Sequence, residues 1–140
     1  MIQRIQSVWL LLAVIAGALT FKFPFCTGTW AKDGNTAIPQ MLAYTPSILV
    51  LGVTIVTLVL AFLTIFLFKN RKQQLFVAIL ALLASLGLIY TYWNERNAYF
   101  INTHLSLSAI YTFAMPVFLF FAIRSIFRDI RLVKRADRLR

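Results

Sequence analysis

Three features of the sequence predict an all-α integral membrane protein: four transmembrane helices in a bundle, followed by a basic amphipathic C-terminal helix. The first is composition. Of 140 residues, 61% are hydrophobic and only 13% are charged, against about 45–50% and about 25% in a soluble domain. A small domain buries only about two-thirds of its surface, so a water-soluble fold could not hide this apolar content. The second is the grouping of the apolar residues into four long runs. The third is the placement of the basic residues, which falls in register with those runs. The length allows one membrane domain over residues 1–140.

The runs cover residues 5–25, 46–68, 75–93 and 105–123. The last three contain 23, 19 and 19 residues without a charge. About 20 apolar residues, at about 1.5 Å each, cross about 30 Å of hydrocarbon. Lipid offers no partner for backbone N–H and C=O groups, so such spans are helices. Barrel strands would alternate in segments of about 10 residues, and these runs do not.

In the first run, Arg4 precedes an apolar stretch and Ala16-Gly17-Ala18 resembles a signal-peptide cleavage site. The apolar run continues past that point through Phe21, Phe23 and Phe25, which predicts an uncleaved span. Residues 26–45 are expected to form an outer loop, with Gly28, Gly34 and Pro39 as turn residues. Thr45-Pro46 reads as an N-cap followed by proline at the first helical position. Residues 69–74 form a tight basic inner turn, and 94–104 a polar outer connection. Pro116 is expected to bend span four unless neighbouring groups compensate.

The net charge is +10, from 14 Lys/Arg against 4 Asp/Glu. In a soluble protein this would suggest nucleic-acid binding. Here eleven of the fourteen fall on one side: Arg4, Lys69, Arg71, Lys72, Arg124, Arg128, Arg131, Lys134, Arg135, Arg138 and Arg140. Lys22, Lys32 and Arg96 fall on the other. Lys and Arg accumulate in cytoplasmic segments, so both termini are expected in the cytoplasm. Trp9 lies near the inner end of span one; Trp30, Tyr44, Tyr90, Tyr92, Trp93 and Tyr99 gather at the outer ends. Anchoring at headgroup level is their expected role, with ligand stacking by Tyr92-Trp93 the lesser alternative.

Catalytic chemistry is not expected. The spans contain no Asp, Glu, Arg or His, and Lys22 lies near a boundary, where its stem can snorkel outward. Pumps and proton relays keep ionisable groups at membrane depth. A single cysteine, Cys26, forms no internal disulfide, and with His104 and four scattered acids makes no standard zinc site. No cofactor is expected. His104 reads as an interface residue, and adjacent Glu95 and Arg96 as solvated charge.

Small residues recur four apart at Ala13 and Gly17, Ala81 and Ser85, and Ser108 and Thr112. Such pairs let helices approach closely in lipid, within the chain or against a partner. The tail carries Arg124, Arg128, Arg131, Arg135 and Arg138 at spacings of four and three, with Lys134 and Arg140 beside them. This is one stripe on a helix continuing from span four, with Ile126, Ile130 and Val133 opposite. Asp129 and Asp137 reduce its charge only modestly. Anionic headgroups are its expected partner, at about 1 kcal/mol per basic residue. Docking of a cytoplasmic partner is the alternative for the tail, with nucleic acid or the ribosome the least expected; other membrane protein subunits are expected partners of the chain.

Both ends resemble a known family. Met1-Ile2-Gln3-Arg4-Ile5-Gln6-Ser7 is similar to the opening, and Leu132-Val133-Lys134-Arg135-Ala136-Asp137-Arg138-Leu139-Arg140 to the close, of a family of small bacterial membrane proteins. That family carries a domain of unknown function and is found mainly in Bacteroidetes-type bacteria. The resemblance implies four spans and an inner-membrane location, and no reaction. The expected function is a non-catalytic accessory or scaffold subunit of an inner-membrane assembly. The alternative is an oligomeric small-solute channel or transporter, with Thr54, Thr57, Thr64, Ser85, Ser108 and Thr112 converging on one cavity.

Overall fold

The computed structural model describes the backbone of residues 2–23, 25–30, 48–67 and 70–138. The elements run α1 (Ile2–Lys22), β1 (Cys26–Trp30), α2 (Ile48–Phe66), α3 (Arg71–Tyr99), β2 (Phe100–Leu105) and α4 (Ala109–Arg138). The expected loop residues 31–45, the Thr45-Pro46 cap, Lys69 and Arg140 lie outside the described residues.

Each helix turns a narrow stripe inward, and the stripe repeats at steps of three and four. On α2 it is Val50, Thr54, Thr57, Ala61 and Thr64. On α3 it is Gln74, Ala78, Ala81, Ser85, Leu88 and Tyr92. On α1 it passes through Gln6, Leu10, Ala13 and Thr20, and on α4 through Thr112, Met115, Leu119, Ala122, Ile126 and Asp129. A seam averaging 3.5 residues is what helices packed at shallow crossing angles present to one another.

The stripes are rich in small and hydroxyl-bearing residues, while the large apolar side chains point outward. Leu11, Ile15, Phe62, Phe66, Phe76, Leu83, Val117 and Phe120 are all exposed. A soluble bundle would reverse this arrangement. With lipid as solvent, burying Leu or Phe against another helix gains little, and close backbone approach through small residues gains more. All four helices are long and apolar enough to cross a membrane.

The helices pack in the cyclic order α1–α2–α3–α4, with α4 returning to α1. Neighbouring helices run in opposite directions, since the start of α1 meets the distal half of α4 and the start of α3 meets the end of α2. The end holding the α2–α3 turn and the far part of α4 is here named the basic end. A hydrophobic core of Leu10, Ala13, Ala16, Ala61, Ala81, Met115, Leu119 and Ala122 fills the middle. Gly17 marks a close approach. A Cβ added there would lie 2.7 Å from Leu58 Cδ2 and 3.0 Å from Met115 Cε, so α1 meets α2 and α4 at a point where an added methyl group would push those side-chain ends aside.

The opposite end, the ribbon end, corrects two expectations. Residues 26–45 and 94–104 read as outer loops. Instead, Cys26–Trp30 and Phe100–Leu105 pair as an antiparallel two-stranded ribbon, with a register irregularity between Thr27 and Thr29. The four-helix bundle stands, capped by this ribbon. Helix α1 ends at Lys22 rather than 25, and α3 continues through Asn94, Glu95 and Arg96 to Tyr99. Helix α4 begins at Ala109 rather than 105, and runs unbroken through Pro116 to Arg138.

Phe25 folds back from the strand into the bundle. It is 3% exposed and stacks on Tyr92 with ring centroids 4.6 Å apart at 19°. Its carbonyl accepts a hydrogen bond from the Ser106 amide at 3.2 Å. Tyr92 is therefore a buried core residue rather than a headgroup anchor. Tyr90 and Trp93 are exposed beside it. Trp9, toward the basic end, packs on Phe118 and Phe121.

Candidate functional site: the basic end of the bundle

Polar side chains bind all four helices together at the basic end. Gln74, buried on α3, donates from Nε2 to the Thr64 carbonyl of α2 at 3.1 Å. Gln6, buried on α1, donates to the Ser125 carbonyl of α4 at 3.3 Å. Between α3 and α4, Arg71 Nη1 stands 3.1 Å from Asp129 Oδ2. The Arg71 side chain is 31% exposed and that of Asp129 11%. Nη1 itself is buried and makes no aligned hydrogen bond, so the pair is held by charge rather than by a directed N–H bond. An ion pair this enclosed is costly to break from one side, because the remaining charge keeps its desolvation without its partner.

The clamp accounts for Asp129. On the sequence it read as a minor offset to the tail charge. It is instead an inward residue, three positions beyond buried Ile126 on the same face. Gln6 and Gln74 do not stand out in the sequence. Each continues the inward stripe of its helix by one turn, and that register is the signal that could have found them.

The arginine stripe runs beside the clamp on the exposed face of α4. Arg124, Arg128, Arg131 and Lys134 are exposed on α4. Arg131 lies over the Phe127 ring, 4.6 Å from its centroid. The backbones of Arg135 and Arg138 continue the helix, while their side chains, like Arg140, fall outside the described set. Ile126 is buried on the opposite face, Ile130 half-buried and Val133 exposed. At about 1.5 Å per residue the 30-residue α4 is about 45 Å long, about 15 Å more than a hydrocarbon core.

Beside the root of this extension lies an open groove of about 610 Å³. Asn70, Arg71, Lys72 and Gln73 form one wall, and Ile130, Val133 and Lys134 form the other. Asn70 Nδ2 donates to Gln73 Oε1 at 3.0 Å.

The remaining predicted packing residues fall in different places. Ala13 and Ala81 are fully buried in the central core, and Gly17 is at the α1 contact already described. Ser85 and Thr112 are buried on their stripes. Ser108 precedes α4 and shares a 2.7 Å hydroxyl contact with Ser106, so it belongs to the turn rather than to a helix interface. The hydroxyls of Thr54, Thr57, Thr64 and Ser85 each donate to a carbonyl of their own helix, at 2.7–2.8 Å. They are thus turned onto backbone rather than into a shared polar lumen. Among the described residues, no group of three His, Cys, Asp or Glu converges.

Comparison with protein families fits this arrangement to a known sequence pattern. The model of a domain of unknown function, DUF4293, matches residues 2–139. The chain belongs to the DUF4293 family. The match takes in the four helices, the ribbon and the basic extension together, so the DUF4293 domain includes both the clamp and the tail. No curated protein matches the chain. No solved structure matches it either.

Proposed function

We propose that this DUF4293 chain is a non-catalytic accessory or scaffold subunit of a bacterial inner-membrane assembly. Both termini face the cytoplasm, and the basic end offers α4 to anionic lipid and to a cytoplasmic or membrane partner. The observation that carries this reading is the continuity of α4. One helix leaves the apolar bundle and becomes a basic extension without a break. Its root is held by the Arg71–Asp129 pair and the Gln6–Ser125 bond.

A charged segment presented on a fixed helix loses less conformational entropy on docking than a free tail would. The orientation is supported by the eleven-to-three division of basic residues. The bacterial setting rests on the resemblance of the two chain ends. The channel alternative has less support, because its proposed lining hydroxyls bond to their own helices.

The test uses the full chain in its native membrane, solubilised in a mild detergent. Wild type is expected to migrate in a complex with other subunits. The variant Arg124→Gln, Arg128→Gln, Arg131→Gln is expected to migrate as the free chain. Wild type migrating alone would overturn the scaffold reading.

A further inference from the structure

We propose that the groove between the start of α3 and the extension of α4 is a discrete binding site for the phosphate headgroup of one anionic phospholipid. Four observations meet there. Cations converge from two helices: Arg71 and Lys72 on one wall, Lys134 on the other. Asp129 is engaged by Arg71, and the side chains of Lys72 and Lys134 are exposed.

The groove also opens at the N-terminus of α3. The first amides of a helix have no partner inside it and carry partial positive charge. Asn70 sits at the N-cap position, its carbonyl accepting from the Gln74 amide at 2.9 Å. Its Nδ2 donates to Gln73 Oε1, whereas capping those amides would need its acceptor oxygen Oδ1. An anion in the groove would complete that turn as well as meet the lysines.

Volume and depth fit the same occupant. About 610 Å³ lies within the range of small-molecule sites and suits a headgroup with its glycerol. Ile130 and Val133 give the groove an apolar side. One turn toward the bundle, Phe76 is exposed on α3, and Phe127 is exposed on α4. The groove therefore sits where a charged rim gives way to an apolar belt, the level at which a phospholipid presents phosphate above acyl chain. A freely dissolved phosphate would use the cations but not the belt.

The site deepens the lipid-contacting part of the proposed function and rests on the basic end lying at a membrane surface. It does not depend on the chain having protein partners. Native mass spectrometry of the full chain, released from nanodiscs of equal phosphatidylglycerol and phosphatidylcholine, tests it. Wild type is expected to retain one phosphatidylglycerol in preference to phosphatidylcholine.

Lys72→Gln with Lys134→Gln is expected to lower that retention about tenfold. Lys22→Gln with Arg96→Gln removes the same charge at the ribbon end, far from the groove, and is expected to change it less than twofold. Equal losses in the two pairs would mean a diffuse response to net charge and would overturn the proposal. Loss of the retained lipid on adding millimolar inorganic phosphate would also overturn it, in favour of a small-anion site. Failure of the scaffold reading appears elsewhere, as a chain that migrates alone while still holding its lipid.

Discussion

Asp129→Leu is expected to destabilise the bundle by about 3 kcal/mol, as the loss of one partner from a buried ion pair generally does. Arg71 keeps 31% of its side chain exposed, which places the expected cost at the lower end of the range. The mutation leaves a guanidinium nitrogen buried between α3 and α4 with no counter-charge. Arg71→Leu is expected to cost a similar amount, by leaving the Asp129 carboxylate enclosed. The double variant should recover most of the loss and come within about 1 kcal/mol of wild type, since two apolar side chains pack where two charges had been desolvated. Unfolding of the four proteins in one mild detergent measures the cycle. Additive single effects would show that the two charges do not act as a pair.

At the opposite end, Phe25→Ala is expected to cost about 3 kcal/mol, the low end for truncation of a buried aromatic residue. The ring is nearly fully buried, stacks on Tyr92 and tilts against Phe113 at 6.0 Å. It is also the point at which the ribbon is fastened to the bundle, through the Ser106 amide on its carbonyl. The loss should therefore be local as well as global. Amides of the paired strands should exchange faster in Phe25→Ala, while those at the centre of α2 keep their protection. Phe25→Leu, which retains most of the volume, should cost less than about 1.5 kcal/mol. Unchanged ribbon exchange in Phe25→Ala would show that the ribbon is held by other contacts.

The four long apolar helices were legible in the sequence for a simple reason. A membrane-length helix needs a long apolar run with few charges, and the chain contains four such runs, three of them without a charge. The continuation of α4 into the tail was legible too, because arginines at steps of four and three hold their stripe only on one unbroken helix. The clamp was not read, because long-range pairing leaves no local mark. Arg71 and Asp129 each sit among other charges, and only the inward register of Ile126 and Asp129 distinguishes the acid from its neighbours.

The ribbon was missed for a different reason. Cys26-Thr27-Gly28-Thr29-Trp30 is short and contains a glycine, which reads as a turn until a second strand is available to pair with it. Its partner, Phe100–Leu105, follows a helix that runs on through polar Asn94-Glu95-Arg96. The end of the apolar stretch there is not the end of the helix.

Membrane orientation is tested most directly by labelling single cysteines in intact cells with an impermeant maleimide. In a Cys26→Ser background, Lys72→Cys and Lys134→Cys lie at the basic end, and Asn97→Cys lies on the exposed ribbon-end extension of α3. Position 97 is expected to label from outside. Positions 72 and 134 are expected to label only after the membrane is opened. Labelling of 72 or 134 in intact cells would contradict a cytoplasmic basic end, and with it the docking role assigned to α4.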